Sequence, residues 1–422
     1  MNKRFYGWWI TVAAFLTFGL STGLPYYNMP FFYDYYQKSF GWSRADITLG
    51  FPIAALFTLW VGPVLVHRFS PRMLIIVGTL LTFLSFVGFS QMSGNLNFFY
   101  AMWFLYVVGY IFSGPIPHQV IVSQWFRKSR GKAMAMVYVG VAVLGSLGSF
   151  LVKPLAESSL GFQGALLVLG ALVVVLAWPI AFFILRDRPS DMGQHADGEA
   201  TARADVKIAA KPISFLLSKR AFWLLLVGSM CSIGAIGSIN QHMKLVFQEQ
   251  GFTDQEQLNS AWRTANVLIL WSSIGGRLFM GWLADRFTKK YVMTATYALV
   301  ALTIPLMLLV RPGSSWELYA FAVLFGFGMG ADYMLIPLMA ADQFGVNTLA
   351  RAMAIILPTD TIGQTWFPYV VSLLHRAWNG YNNALMVVFA MALIGAIAIA
   401  MLPKHNPEEE ESVPGAAGAP AK

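Results

Sequence analysis

Three ionisable side chains, Arg277, Asp332 and Asp360, stand in otherwise apolar stretches of the chain. A charged side chain in hydrocarbon costs about 2.5 kcal/mol or more, so such residues are functional candidates by default. A guanidinium stays charged and offers two parallel hydrogen bonds to one carboxylate. A carboxyl group near mid-membrane can exchange a proton. Arg277 is therefore a candidate for function, and Asp360 or Asp332 could carry a proton.

Structural roles are the alternatives for the same three residues. Arg277 could extend towards the membrane surface, or it could lock a pair of charges at a gate. Asp360 and Asp332 could pin helices through an ion pair with Arg277 or through hydrogen bonds. The sequence alone leaves both readings open.

Uncharged polar and aromatic residues form a second group of candidates for substrate binding. They are Tyr26, Tyr27, Asn28, His118, Gln119, Tyr138, Asn240, Gln241, Tyr333 and Gln364. Each one could equally form an interhelical hydrogen bond or pack in a core. A metal pair of His118 and His242 is disfavoured, since their spacing is not i, i+4 and the single cysteine is Cys231. We expect no metal and no cofactor.

The composition identifies the elements that must position these residues. Of 422 residues, 57% are hydrophobic and 12% charged, and the mean hydropathy is +0.59. Soluble domains carry about 25% charged residues, and disordered chains have far fewer apolar ones. A membrane protein with many spans remains. No glycine-rich nucleotide loop or Walker pattern occurs, so an ATP-driven activity is not indicated.

Twelve stretches approach the roughly 20 apolar residues that a transmembrane helix needs. They lie near 7–33, 43–66, 72–92, 97–122, 131–155, 161–185, 220–248, 258–284, 290–310, 316–341, 350–374 and 380–402. The prediction is an all-α membrane protein with a six-helix bundle at 1–185 and another at 219–403. A polar linker at 186–218 joins the bundles, and a disordered tail follows at 404–422.

The basic residues predict the orientation. Sorted by connection, 21 Lys and Arg fall on the side of the termini and the linker, against six on the other side. Because cytoplasmic loops carry the excess of Lys and Arg, both termini and the linker are expected in the cytoplasm. These basic loops are topology determinants, and we expect no nucleic acid partner.

A short charged turn recurs at half-chain spacing. In the C-terminal half, Gly281, Asp285 and Arg286 stand in the run Gly-Trp-Leu-Ala-Asp-Arg-Phe-Thr-Lys-Lys over 281–290. At the matching place in the N-terminal half, His67 replaces the acid and Arg68 keeps the base. An acid at a helix end can pair with bases and a neighbouring helix terminus, holding a gate in one conformation.

The 281–290 run resembles a signature of the major facilitator superfamily, with Thr288 in place of its second glycine. The repeat at half-chain spacing fits the internal symmetry of such transporters. The resemblance implies twelve helices in two pseudo-symmetric bundles, the major facilitator fold. It also implies that spans one, four, seven and ten line the central cavity, and most of the weaker polar candidates lie in them.

Four short segments are similar to the monocarboxylate transporter family and the related bacterial oxalate/formate antiporters. They are Tyr6–Trp9, Trp125–Ala133, Arg186–Gly193 and Arg277–Gly281. In that family the arginine matching Arg277 holds the substrate carboxylate. The acid four residues earlier is replaced here by Ser273, so the family's proton-coupling pair is incomplete and Asp360 becomes the replacement candidate.

Together these features predict a secondary active transporter that works by alternating access. We expect symport of a small organic anion, a monocarboxylate such as lactate or pyruvate, with a proton, through a monomer in the cytoplasmic membrane. Anion antiport and sugar-acid transport are alternatives within the same superfamily. A membrane sensor that binds substrate without cycling is another alternative. An intramembrane enzyme is disfavoured, because no nucleophile–base set or metal site is evident.

Overall fold

The computed structural model of the chain describes residues 5–42, 46–47, 49–50, 53–54, 56, 68–199, 210–313 and 315–403. Most of the predicted second span, residues 200–209 of the linker and the tail 404–422 lie outside these ranges. The described residues form helices joined by short connections and contain no strand. The predicted all-α class is confirmed.

The helices of the N-terminal half pack on one another as a bundle. They are α1 (Gly7–Phe18), a π-helical turn (Gly19–Gly23), α2 (Leu24–Asn28), a 3-10 turn (Met29–Phe32), α3 (Tyr33–Phe40), α4 (Pro71–Ser90), α5 (Leu96–Ser113), α6 (Pro115–Trp125), α7 (Arg130–Glu157), and α8 (Gly161–Pro179) with a π-helical end (Ile180–Ile184). Helix α4 packs on α5 and α8, while α7 packs on α1 and α2.

The C-terminal half repeats this plan. Its helices are α9 (Ile213–Ser218), α10 (Arg220–Glu249), α11 (Gln255–Arg286), α12 (Lys289–Met307), α13 (Ser315–Phe344), α14 (Val346–Trp378) and α15 (Tyr381–Ala400). Helix α10 packs on α14 and α15, α11 packs on α13, and α12 packs on α13 and α15. In the linker, two short 3-10 turns occur at Pro189–Met192 and Ala196–Gly198.

Ten helical segments of the described ranges are long and apolar enough to cross a membrane. Helix α14 has 33 residues and the length to cross, but it is more polar because it contains Arg351, Asp360 and Arg376. Small residues bring the helices close together inside each bundle. At Gly330 in α13, for example, a Cβ would lie 2.0 Å from the carbonyl oxygen of Ser273 in α11. Close backbone approach through small residues is typical of membrane helices.

One face of the molecule carries the first and last described residues together with the start of the linker. We call it the linker face: it carries residues 5–6, 125–132, 184–199, 285–289, 343–351 and 403. Contacts that mark it include a hydrogen bond from the Tyr6 backbone N–H to Gln194 Oε1 (2.9 Å) and one from Gln343 Nε2 to the Pro403 carbonyl (2.8 Å). Among the described residues, the main contacts between the two bundles join α7 to α11, α6 to α14, and α7 to α13.

Candidate functional site

Arg277 lies on α11 with an incompletely satisfied guanidinium. Its Nη1 donates to Ser273 Oγ, one turn earlier, at 3.2 Å. The Ser273 hydroxyl in turn donates to the Leu270 carbonyl at 2.7 Å. Arg277 Nε is buried without a hydrogen-bond partner. No acid in the described ranges forms an ion pair with Arg277, so the site holds an uncompensated positive charge.

Two tyrosines of the N-terminal bundle interact electrostatically with this charge. Tyr27 and Tyr138 of the N-terminal bundle lie within electrostatic range of the Arg277 guanidinium. Tyr138 accepts a hydrogen bond from Gln119 Nε2 at 2.5 Å. Tyr333 of α13 lies within the same range of Tyr27 and Tyr26. These interactions link polar residues of α2, α6, α7, α11 and α13 into one group that includes Arg277.

Sequence reasoning missed Tyr110 of α5, which belongs to the same group. Its ring centroid lies 6.2 Å from that of Tyr26, and the rings of Tyr26 and Tyr27 meet edge to face at 5.5 Å. A signal was present, since Tyr110 stands four residues before the Gly114–Pro115 break between α5 and α6.

Asp360 and Asp332 are fully buried, and both are held by serines of α10. Ser229 Oγ donates to Asp360 Oδ1 at 2.6 Å, and Ser232 Oγ donates to Asp332 Oδ2. The second oxygen of each carboxyl group is buried without a hydrogen bond of ordinary geometry, and the Tyr297 hydroxyl lies beside Asp332. Neither acid contacts Arg277 or any other base of the described ranges. Because an unpaired carboxylate is costly to bury, both groups are suited to exchanging a proton when water enters or leaves.

Ser229 and Ser232 were not identified from the sequence. Serines are common in membrane helices, and a spacing of three residues carries no distinctive signal. What sets these two apart is their position opposite Asp360 of α14 and Asp332 of α13. The structure thus shows that one helix, α10, holds both acids.

Two predicted candidates have local bonding partners that leave little capacity for a substrate. His118 is fully buried, with Nδ1 2.7 Å from the Gly114 carbonyl and Nε2 2.8 Å from Thr17 Oγ1. Asn28 Nδ2 donates to the carbonyls of Leu24 (2.8 Å) and Gly145 (3.1 Å). These bonds join α1 to α6 and α2 to α7.

The remaining candidates, Asn240, Gln241 and Gln364, show no contact with Arg277. Asn240 and Gln241 are exposed on α10, where Asn240 Nδ2 lies 3.6 Å from Met329 Sδ. Gln364 of α14 lies where its backbone meets Gly237 of α10. Within the described ranges, none of the three residues forms a hydrogen bond or an ion pair with the Arg277 side chain.

The turn predicted to act as a gate contacts the opposite bundle. Asp285 Oδ1 accepts from the backbone N–H of Gly131 at 2.6 Å, and Oδ2 accepts from that of Lys132 at 3.0 Å. The carboxylate thus binds free donors at the start of α7, where a helix favours negative charge. At Gly281, a Cβ would lie 2.7 Å from the Gly131 carbonyl oxygen, so α7 and α11 are in close contact.

The two arginines of the gate motif take different positions. Arg286 lies over the Trp282 ring, with its guanidinium carbon 4.3 Å from the ring centroid. Arg68 is exposed, and its neighbours at 63–67, including His67, lie outside the described residues. The bonds of Asp285 and the close approach of Gly281 to Gly131 hold the two bundles together at the linker face.

The Major Facilitator Superfamily sequence model matches residues 10–276 and 260–422. Human monocarboxylate transporter 11 is 24% identical over 95% of this chain and 84% of its own length. A probable nitrate/nitrite transporter, NarK2 of Mycobacterium tuberculosis, is 25% identical over 96% of this chain and 97% of its own.

A solved structure shows the same fold. The transporter FucP, a fucose:proton symporter of E. coli, superposes in its outward conformation with a TM-score of 0.70. The match covers 95% of this chain and 100% of FucP at 15% sequence identity. With its described helices packed in two bundles and a sequence match across almost its whole length, this chain is a secondary transporter that belongs to the major facilitator superfamily.

Proposed function

We propose that this transporter carries a small organic anion, a monocarboxylate of the lactate or pyruvate type, in symport with a proton. The observation that carries the proposal is the uncompensated Arg277 guanidinium in the group of polar residues from both bundles. A substrate carboxylate would supply the missing charge and accept from the unpartnered Nε. The similarity to a protein named a monocarboxylate transporter supports this substrate class.

In the proposed cycle, the tyrosines orient the anion and the acids carry the proton. Tyr27 and Tyr138 interact electrostatically with Arg277 and would hydrogen-bond the bound carboxylate, while Tyr333 would contribute a hydroxyl from the C-terminal bundle. Asp360 is the coupling acid, with Asp332 as its neighbour on the same α10 serine pair. The binding of anion and proton is then linked through one bundle.

The proposal also covers orientation and assembly. We infer that the linker face is cytoplasmic, because it carries the excess of Lys and Arg. The protein then resides in the cytoplasmic membrane with both termini inside and works as a monomer. Contact between the bundles at the linker face corresponds to a state open to the outside.

The test is uptake of labelled lactate and pyruvate by purified protein in liposomes with an imposed pH gradient. Arg277→Ala should abolish uptake, while Arg277→Lys keeps the charge but not the fork and should lose most of it. Arg263→Ala is the matched control, since Arg263 is an exposed arginine of the same helix. Normal uptake by Arg277→Ala would contradict the proposed anion site.

Proton coupling has its own variant. Asp360→Asn keeps the shape and the hydrogen bond from Ser229 but cannot titrate. We expect this variant to exchange labelled acid across the membrane and to fail to accumulate it under a pH gradient. Accumulation at the wild-type level would exclude Asp360 as the coupling group and make Asp332→Asn the next variant to measure.

Anion exchange is the second candidate, and a specific contact favours it. Arg277 is bonded to Ser273 where the related carriers have an acid, and an exchanger needs no acid beside its anion site. Liposomes preloaded with unlabelled acid distinguish the two mechanisms. Uptake that requires the preloaded acid and does not depend on the pH gradient indicates antiport of organic acids or sugar acids. Binding of the labelled acid without any flux indicates a sensor.

A further inference from the structure

A linker residue, Asp197, is bound to the turn between α6 and α7. Its Oδ2 accepts from the backbone N–H groups of Arg127 at 2.8 Å and Lys128 at 2.7 Å. Its Oδ1 accepts from the N–H of Ser129 at 3.4 Å. Successive backbone N–H groups that converge on one carboxylate form an anion-binding concavity. The backbone of Asp197 is left-handed, with φ of 56°, a conformation that Asp tolerates better than most residues.

The same stretch of chain also receives the gate carboxylate from the other bundle. Directly after the turn, the N–H groups of Gly131 and Lys132 donate to Asp285. The free donors that precede and begin α7 are thus divided between Asp197 of the linker and Asp285 of α11. The N–H groups of 127–129 and those of 131 and 132 are separated only by Arg130. A fixed conformation of the first group therefore constrains the direction in which the second group points.

Further contacts hold this part of the linker on the N-terminal bundle. Gln194 Oε1 accepts from the Tyr6 N–H at 2.9 Å. Glu199 forms an ion pair with Lys128 at 2.9 Å. Asp197 therefore lies on an anchored segment. Its bonds to the α6–α7 turn are therefore part of a larger set of contacts between the linker and the N-terminal bundle.

We propose that Asp197 is a positioning residue for the gate at the linker face. It orders the α6–α7 turn, so that the N–H groups at 131 and 132 already point to the place where Asp285 arrives when the bundles close. In the closed state, Asp285 accepts hydrogen bonds from these ordered N–H groups. When the bundles separate, Asp285 withdraws and water can satisfy a relaxed turn. Asp197 therefore favours the closed state by prior ordering of a partner. The inference is independent of the substrate.

The test measures the distance between the bundles by double electron–electron resonance on the full chain in lipid nanodiscs. Spin labels are placed at Met73, at the start of α4, and Met401, after α15, since both side chains are about half exposed. Cys231→Ser removes the native thiol. Asp197→Gly deletes the carboxylate without straining the left-handed backbone. We expect the ratio of closed to open conformers to fall, by no more than the roughly 3- to 10-fold that losing a whole capping carboxylate would give, because the bonds of Asp197 lie within one bundle and affect the ratio only through the gate.

Asp191→Ala is the matched control, because Asp191 Oδ2 accepts from the Arg188 N–H inside the linker itself. It should leave the ratio unchanged. Asp197→Asn keeps the left-handed backbone and one acceptor oxygen, so it should give a smaller shift than Asp197→Gly. If Asp197 acts through Asp285, the shifts of Asp197→Gly and Asp285→Asn should be less than additive in the double variant.

Two results would overturn the proposal. One is an unchanged ratio in Asp197→Gly, or a shift equal to that of Asp191→Ala. The other is full additivity with Asp285→Asn, because a residue that merely stabilises the linker would act independently of the gate. Thermal denaturation of each variant in detergent separates a change in conformer ratio from a loss of folding.

Discussion

Gly131→Ala is expected to open the linker face, because the two bundles meet there backbone to backbone. A Cβ at residue 131 would lie 2.2 Å from the Gly281 carbonyl oxygen and 2.7 Å from Asp285 Oδ1. Real Cβ atoms essentially never come within 3.0 Å of such atoms. The first of these contacts is with the backbone of the other bundle, so a rotamer change cannot relieve it. The helices α7 and α11 must separate.

The size of the effect follows from the two interactions that are lost. Overpacking costs about 1–3 kcal/mol, and the same displacement lengthens the hydrogen bonds that Asp285 accepts at 2.6 and 3.0 Å. A combined cost of about 2–3 kcal/mol would lower the closed-to-open ratio roughly 30- to 140-fold. In the open state the methyl group meets no such neighbour, and alanine favours the helix slightly.

The assay is the distance measurement between Met73 and Met401, with Gly275→Ala as the control. Gly275 lies on α11, six residues before Gly281, and a Cβ there has nothing within 4 Å. Both variants add one methyl group in a helix, so only steric contact across the bundles distinguishes them. A Gly131→Ala distribution that matches that of Gly275→Ala would refute the reasoning.

Three further predictions concern orientation and packing. A thiol introduced by His195→Cys, at an exposed linker position, should react with a membrane-impermeant maleimide in inside-out vesicles but not in intact cells; labelling in intact cells would reverse the proposed topology. Asn28→Ala should lower the free energy of unfolding by about 1 kcal/mol, measured by denaturation in detergent, with the substrate KM unchanged. His118→Ala should lower it by about 2 kcal/mol or more, through the lost bonds to Gly114 and Thr17 and the cavity left behind; a changed substrate preference would contradict this structural role.

The helices were predictable because their ends are marked by charge and turn residues. The predicted span 131–155 compares with α7 at Arg130–Glu157, and that at 161–185 compares with a helix that ends at Ile184. Among the spans that the structure describes, the largest difference is at 350–374, where α14 runs from Val346 to Trp378. Hydropathy measures the apolar centre of a helix, whereas hydrogen bonding continues through its polar ends. In α14 these ends are set by Gly345 and the left-handed Asn379.

The sequence predicts the charged residues of the candidate site, but it does not predict which residues form hydrogen bonds with them. A lone charge in an apolar stretch is conspicuous, so Arg277, Asp332 and Asp360 are evident from the sequence. Which groups satisfy them depends on helix rotation and register, which hydropathy does not specify. The sequence therefore does not decide whether Arg277 pairs with either acid. Among the described residues, the structure shows no such pair.

The contacts of the linker were the least accessible to sequence reasoning. The segment is polar and short of apolar residues, which predicts a linker without a core of its own. Its Asp197 binds backbone N–H groups, and every residue except proline carries such a donor. No side-chain pattern can therefore report the contact, although the left-handed conformation of Asp197 agrees with the Asp-Gly pair at 197–198.

The distribution of charge constrains how coupling can work under the proposed function. Arg277, Asp332 and Asp360 all belong to the C-terminal bundle, while the N-terminal bundle contributes tyrosine hydroxyls to the same group. In a rocking motion of two rigid bundles, groups within one bundle keep their separation. Anion and proton sites therefore do not approach each other during the cycle. What the motion changes is the access of water and the contact with Tyr27 and Tyr138, so hydration and these hydroxyls modulate a link between anion and proton that lies within the C-terminal bundle.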